Sequence, residues 1–574
     1  MDSFDNFQVR SNFHLFFMTQ LKKPNFIVIV ADDLGFTDTS PFGGEIDTPN
    51  LDRLAKNGLR FTDFHTASAC SPTRSMLLSG TDNHIAGLGQ MAEFARRIPE
   101  RFAGKPGYEG YLNFRVAALP EILQDAGYYN FLSGKWHLGF TEEYWPSKRG
   151  FEKTFTLLPG AGNHYKYFPL DEKTGDTIQF MKPLFEENGK SLNPFDLPDD
   201  YYSTNYFTNK FLEYLQDDSR DGRPFFGFLT YTAPHWPFQA HEEVIAKYKG
   251  KYDNGPAKLR QQRLANAVKK GLIPDGVTPH KVETQREKIW ADLTDEEKRI
   301  EARIMEIYAA MVDILDQNIG RVLDQLEKDN ELENTFILFM SDNGAEGMMM
   351  EALPLTNENF ETNIEKYYDN TFSNIGKANS FVWYSDQWAQ AATAPAYMYK
   401  MWASEGGIRC PLIVHYPQLI KDRGSVRHGF NTVMDILPTI LDVAGVAHPG
   451  ENFRDRKVVL PRGKSWKKYL AGDAEYVHDE ETVTGWELFA QQAIRKGKYK
   501  ALYIPKPMGP DKWQLFNLEK DPGETTDISE EDPDRLKQMV DYWAEYVAET
   551  GLVECADVFY KHMDAEYNPI VIED

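Results

Sequence analysis

The first strand-like run in the chain is Asn25-Phe-Ile-Val-Ile-Val30, apolar, β-branched and without alternation. That pattern predicts a strand buried on both faces, as in a parallel sheet. Thr48 to Gly58 predicts a helix closed by its glycine. Short apolar runs at Tyr128–Leu132, Pro224–Tyr231, Thr335–Met340 and Pro411–Tyr416 predict further strands with helical stretches between them. One helix is marked by a capping-box pattern, Thr294-x-x-Glu297. Ile304, Ile307, Tyr308, Met311, Leu315, Ile319, Val322 and Leu326 then recur at helical spacing. A helix that leads into a strand is an α/β signature. Residues 240–292, rich in Lys, Gln and Gly, predict a surface excursion. After a helix over Asp435–Val443 the chain turns to Gly, Pro and charge between Val446 and Val458. Trp486–Ile494, Tyr499–Ile504 and Trp513–Leu518 then predict antiparallel strands. A last helix runs to about Glu549, with Asp532 at its N-cap and Pro533 at its first position. The expected organisation is a disordered extension over 1–20, a large α/β unit over 21–450 and a smaller α+β unit over 451–574 with an antiparallel sheet and a helix.

Composition narrows the function classes. The 574 residues are 41% hydrophobic and 26% charged, which is globular and not disordered. Asp and Glu number 87 against 63 Lys and Arg, a net charge of −24. Such a chain is a poor partner for nucleic acid or an anionic membrane, and an anionic substrate needs a local cationic pocket. Three cysteines, Cys70, Cys410 and Cys555, exclude a disulfide framework and fit a reducing compartment. No apolar run reaches the roughly 18 residues a spanning helix needs. The start Met1-Asp-Ser-Phe-Asp is acidic, and Phe13–Met18 is short for a signal peptide. A cytoplasmic location is therefore expected, with Met1 or Met18 as the start.

Chemistry concentrates at strand ends. Asp32-Asp33 follows the first strand and Asp342-Asn343-Gly344 follows another. Each alone reads equally well as a turn or cap. Together they point to a hard cation on oxygen ligands, Ca²⁺ or Mg²⁺ and not Zn²⁺. Ser68-Ala-Cys70-Ser-Pro72-Thr-Arg74 holds a thiol beside a proline and an arginine near a helix start, where it could act as a nucleophile. Cys410 and Cys555 read as small buried hydrophobes. Lys135 has an apolar flank in Phe131-Leu132 and Trp136, so its ammonium calls for an anionic partner. His65, His84, His164, His241, His415 and His428 have no independent support, His164 being the best placed of them for a substrate loop. Tyr165, Tyr167, Phe168, Phe381, Trp383, Tyr384 and Trp388 read either as a substrate mouth or as ordinary packing.

Cys70-Ser-Pro72-Thr-Arg74 resembles the Cys-x-Pro-x-Arg signature of type I, formylglycine-dependent sulfatases. Asp32-Asp33, Gly134-Lys135-Trp136-His137, Thr232-Ala-Pro-His235, Asp342-Asn343 and Lys400 ahead of Glu405-Gly-Gly match further segments of that family in order. The spacing looks closest to bacterial-type arylsulfatases, over about residues 24–530. The departures are the N-terminal extension and the Met348–Met350 region. The resemblance implies an alkaline-phosphatase-like α/β fold, with a large mixed sheet flanked by helices, and a catalytic sulfatase domain in the larger unit. It implies hydrolysis of an aryl or alkyl sulfate monoester, with a phosphonate or phosphate ester hydrolase as the alternative. Cys70 would be converted to Cα-formylglycine by a formylglycine-generating enzyme. Asp32, Asp33, Cys70, Asp342 and Asn343 would hold Ca²⁺, with Mg²⁺ the lesser expectation. Lys135, His235 and Lys400 would bind substrate, and Arg74 would steady the nucleophile. Asp342 would help to deprotonate the nucleophile, His235 with Lys400 would protonate the leaving oxygen, and His137 would deprotonate the second hydroxyl of the hydrated aldehyde.

Overall fold

The computed structural model describes residues 22–284, 286, 288–347, 360–560 and 569–572. The expected extension over 1–20 and the Met348–Met350 region lie outside the described residues. The larger sheet has ten strands: β1 (Asn25–Ala31), β2 (Leu59–Phe61), β3 (Tyr129–Lys135), β4 (Lys153–Leu157), β5 (Phe185–Glu187), β6 (Lys190–Leu192), β7 (Phe225–Thr230), β8 (Thr335–Ser341), β9 (Leu412–His415) and β10 (Val426–Arg427). Their spatial order is β10-β2-β9-β8-β1-β7-β3-β4-β5-β6. The stretch β8-β1-β7-β3-β4 is parallel. β9 is antiparallel to both of its neighbours, and β5 and β6 add antiparallel strands at the far edge.

The unalternating runs are explained by burial on both faces. Ile27, Ile29, Phe131, Ile337 and Phe339 join one core layer, while Phe26, Val28, Val30, Leu132, Leu338 and Met340 join the other. The first layer is covered by α1 (Pro49–Asn57), by α3 (Ser203–Leu215) through Phe207 and Phe211, and by α5 (Asp295–Lys328). The second lies under α2 (Cys70–Ser79) and α7 (Ile436–Ala444). The capping box on α5 forms as expected, Thr294 Oγ1 accepting from Glu297 N at 3.2 Å.

Three expectations change in detail. Gly58 does follow α1, but its φ of −133° is extended, not left-handed. A side chain there would put Cβ 2.2 Å from the Val414 carbonyl oxygen, so close approach to β9 is what requires glycine. Residues 240–292 are not only a surface excursion. They contain α4 (Gly255–Lys269), whose Leu259, Arg260, Arg263 and Ala267 are buried. Arg263 donates to Asp38 and, at 2.8 and 2.9 Å, to Glu45. The Trp486–Ile494 run is two strands, because Phe489 and Ala490 both adopt positive φ and turn the chain.

The smaller sheet is antiparallel, in the order β11 (Val483–Leu488), β12 (Gln491–Lys496), β13 (Tyr499–Tyr503), β14 (Trp513–Asn517). Ile494, Ala501 and Leu515 pack on Met539, Trp543 and Tyr546 of α8 (Pro533–Thr550). Trp486, Leu488, Ala493, Leu502 and Phe516 merge with the first core layer of the larger sheet. The smaller sheet is thus enclosed on both faces. Among the described residues no helix is long and apolar enough to cross a membrane.

Candidate active site

Adjacent parallel strands bring their carboxyl ends to one edge, because Ala31 is level with Ser341, Val30 with Thr230 and Gly134 with Thr230. Asp32-Asp33 continues β1 and Asp342-Asn343 continues β8. Lys135 ends β3 with His137 just beyond it, and His235 lies past β7. Cys70 opens α2, and Arg74 lies one turn further along the same face. Such a switch-point edge is where open α/β sheets bind ligands. Gly134 has φ of 128°, and a Cβ there would meet the Thr230 carbonyl oxygen at 1.8 Å, so only glycine lets β3 and β7 meet at this level. Asp33 (φ 68°) and His137 (φ 57°) are held in the left-handed region, conformations that cluster at functional sites.

All the sequence-predicted residues are brought into one buried network. Arg74 donates from Nε and Nη2 to Asp342 Oδ2 at 2.9 and 2.7 Å, and from Nη1 to the Lys135 carbonyl at 2.9 Å. Lys135 Nζ donates to Asp32 Oδ2 at 2.7 Å. Lys400 Nζ lies 2.9 Å from Asp33 Oδ2 and 3.0 Å from Glu346 Oε2. Asn343 Nδ2 donates to Asp33 Oδ1 at 2.7 Å. His235 Nε2 is 3.4 Å from Asp33 Oδ2, and its Nδ1 must carry a proton, because it meets the Trp236 carbonyl at 2.8 Å. Cys70 Sγ lies 3.2 Å from His137 Nδ1, and His137 Nε2 lies 2.9 Å from Glu93 Oε1.

The electrostatics are strongly perturbed. Burial pushes the Cys70 thiol up, but Lys135 and His137 outweigh it and bring it down to about 6. Burial likewise opposes the proton on His137, yet the Cys70 thiolate and Glu93 raise it to about 9. Asp33 is brought down to about 2 against burial by Lys400 and His235. Lys135 and Lys400 are raised against burial, chiefly by Asp32 and by Asp33 respectively. Burial lowers His235 well below the usual range. Asp32 is the opposite case: burial, then Asp342 and Asp33, raise it well above the usual carboxylate range despite Lys135.

That last result and two orphan atoms test the site for a cation. Asp32 Oδ1 and Asn343 Oδ1 are buried with no hydrogen-bond partner. Donor atoms of Asp32, Asp33 and His235 lie within 4.8 Å of one another. Buried unpaired oxygens are costly, and a hard divalent ion relieves them. The donor set Asp32, Asp33, Asp342 and Asn343 therefore fits Ca²⁺ or Mg²⁺. A second group, Asp63, His65 and Glu405, also has donor atoms within 4.8 Å. Its charge is already balanced. Arg495 pairs with Asp63 at 3.1 and 2.8 Å, and Lys500 lies between Glu405 and Glu524 at 2.9 and 2.8 Å.

Four of the remaining histidines, His84, His164, His241 and His428, have structural partners. His164 is fully buried, its Nδ1 on Ser203 Oγ and its Nε2 on the His235 carbonyl, each within 2.9 Å. It braces the His235 loop and does not present a ring nitrogen to a ligand. His84 lies between Asp82 and Glu487, and His241 and His428 bond Tyr165 and Thr62. His415 closes β9. Phe381, Tyr384 and Trp388 are buried in the core, so these rings do not form a mouth. Tyr165, Tyr167, Phe168 and Trp383 are only half-buried. Two site residues carried no sequence signal. Glu93 comes from an unremarkable four-residue helix, and Glu346 lies just beyond Asp342-Asn343.

The chain matches the sulfatase family over residues 24–446 and the C-terminal region of N-sulphoglucosamine sulphohydrolase over 396–545. It is 54% identical to an uncharacterized sulfatase of Schizosaccharomyces pombe, over 94% of this chain and 96% of that protein. It is 35% identical to an arylsulfatase of Klebsiella aerogenes, over 77% of this chain and 90% of that one. The crystal structure of Ps i-CgsB is similar in fold, with a TM-score of 0.65 at 24% identity over 94% of this chain and 97% of the other.

Proposed function

This chain belongs to the sulfatase family and is a sulfate ester hydrolase, and on that premise we propose that it cleaves an aryl or alkyl sulfate monoester to an alcohol or phenol and inorganic sulfate. The observation that carries this reading is the gathering of Cys70, Arg74, Lys135, His137, His235 and Lys400 at the strand ends that hold Asp32, Asp33, Asp342 and Asn343, where Asp32 Oδ1 and Asn343 Oδ1 are left without a partner. Oxidation of Cys70 to formylglycine by a formylglycine-generating enzyme would supply a hydrated aldehyde whose hydroxyl attacks sulfur. A Ca²⁺ ion on Asp32, Asp33, Asp342, Asn343 and residue 70 would supply positive charge beside the sulfate oxygens.

The chain's own groups do the rest. Lys135 and Lys400 present fixed cations in a water-poor site, where each is worth about 3 kcal/mol of transition-state stabilisation. They also reverse the field of an acidic protein for an anionic substrate. Arg74 locks the Asp342 carboxylate, which takes the nucleophile's proton. Against burial, the Cys70 thiolate is the main group that holds a second proton on His137; with that thiolate replaced by a hydrated aldehyde, the neutral ring faces residue 70 through Nδ1 and takes the proton of its second hydroxyl. His235 rests neutral with its proton on Nδ1. An anionic substrate at Nε2 raises its affinity for a second proton, which it passes to the leaving oxygen with Lys400 beside it. The cytoplasmic location, the division near residue 450 and the preference for calcium over magnesium belong to this same reading.

The test has two parts. Mass spectrometry of the Cys70 peptide from the native host is expected to show the formylglycine mass. Comparison of kcat/KM for matched aryl sulfate and aryl phosphonate esters is expected to favour the sulfate. A preference of orders of magnitude for the phosphonate would overturn the substrate class.

A further inference from the structure

The hydrogen-bonded line from Cys70 does not stop at the imidazole. His137 Nδ1 meets Cys70 Sγ at 3.2 Å, while Nε2 on the other side of the ring meets Glu93 Oε1 at 2.9 Å. The ring has little room to turn. A Cβ on Gly160 would lie 2.4 Å from Cε1 of His137, so the backbone of Gly160 is a wall against the ring. The His137 backbone is fixed in the left-handed region and its N–H donates to the Leu158 carbonyl at 3.1 Å. The imidazole is 2% exposed, and Glu93 is the partner that reaches it from the solvent side, at 33% exposure.

We propose that Glu93 is a positioning residue, whose carboxylate holds the Nε2–H so that Nδ1 is the nitrogen presented to residue 70. The proposal rests on the reading of residue 70 as the reacting side chain. When Nδ1 takes a proton from a hydroxyl on that residue, the O–H bond breaks, its electron pair stays on oxygen and an N–H bond forms. The Nε2 proton stays in place, and the imidazolium charge is met by the Glu93 carboxylate. Nucleophile, base and orienting carboxylate form the general arrangement of an activated nucleophile. Gly160 sets the plane of the ring and Glu93 sets which edge faces inward.

The experiment uses Glu93→Ala and Glu93→Gln in the full chain. Crystal structures of the unmodified Cys70 protein read the ring directly. In Glu93→Ala the Nδ1–Sγ separation is expected to lengthen from 3.2 Å, and in Glu93→Gln the amide oxygen is expected to keep the ring in place. Kinetics on the matured protein read the consequence. A ring misplaced by about 1 Å costs about 100-fold, so Glu93→Ala should lose about that in kcat with KM within about twofold. Glu93→Gln keeps the geometry without the charge and should lose less. An unmoved ring in Glu93→Ala, or an unchanged kcat in both variants, overturns the proposal. If Glu93→Ala does not fold, the near-isosteric Glu93→Gln decides by its kcat alone. If the matured wild-type protein cleaves no sulfate ester while the ring still moves in Glu93→Ala, the functional reading falls and the positioning role stands.

Discussion

His84 makes a quantitative prediction about how the smaller sheet is held. Its ring is buried, with Nδ1 2.8 Å from Asp82 Oδ1 and Nε2 3.0 Å from Glu487 Oε2. Asp82 precedes a short helix just after α2, and Glu487 lies on β11. Tyr546 of α8 donates to Asp82 Oδ2 at 2.7 Å, and the Tyr108 ring packs against the imidazole. Burial opposes the charged ring, but Asp82 and then Glu487 raise it from 6.5 to about 9. That difference corresponds to about 3 kcal/mol in favour of the folded, protonated form. Because the folded value is the higher one, this stability is fully present below pH 6.5 and is lost as pH rises through about 9. His84→Gln removes the cation and leaves two buried carboxylates facing a neutral amide. Thermal unfolding of both proteins across this range should show a gap of about 2–3 °C on the acid side, shrinking on the alkaline side. A gap of constant size across the range would refute the reasoning, because the cost would then be packing and not charge.

Four further outcomes follow from the site. Cys70→Ala should abolish aryl sulfate turnover while the far-ultraviolet circular dichroism stays unchanged; full residual activity would remove Cys70 from the mechanism. Lys135→Met should cut kcat by about 100- to 1000-fold and lower stability by about 3–5 kcal/mol, because Asp32 then loses its buried cation, measured by kinetics and denaturant unfolding. Chelation of divalent ions should lower the melting temperature, and Ca²⁺ at 100 times its Kd should restore about 2.7 kcal/mol; a melting curve indifferent to both would argue against a cation between Asp32 and Asn343. Gly134→Ala should yield little folded protein, since its Cβ would overlap the Thr230 carbonyl, read as loss of the wild-type elution peak in size-exclusion chromatography.

The parallel strands were legible because a strand covered on both faces has no reason to alternate, and Ile27 to Val30 do not. Asp32-Asp33, Asp342-Asn343, Cys70 and Lys135 stood out because short motifs at strand ends and at a helix start concentrate them, whereas His137, His235 and Lys400 were named only through the family resemblance. What stayed hidden depends on distance in space, not on spacing in sequence. Glu93 lies 44 residues before His137, in a helix whose composition says nothing about its partner. Gly58 looked like a helix stop, and only the packed β9 shows that it is a gap for the Val414 carbonyl. Lys, Gln and Gly made residues 240–292 look solvated, and a buried Arg263 is recognisable there only once Asp38 and Glu45 arrive from elsewhere. The turn at Phe489-Ala490 has none of the residues that usually mark positive φ, so a hairpin passed for one strand.

Cys70 is 1% exposed and opens a helix whose residues are all buried. No protein catalyst reaches a thiol so placed once folding is finished. Residue 70 leaves the ribosome well before Lys135, His235, Asp342 and Lys400 have been translated, and the pocket cannot close around it until all of them have been made. On the proposed maturation, the time for its oxidation would therefore be set by synthesis: it would open when α2 emerges and end when the last strand of the larger sheet docks. On the same reading, chains that miss this interval would end folded with an unoxidised thiol, and expression rate would become a determinant of specific activity.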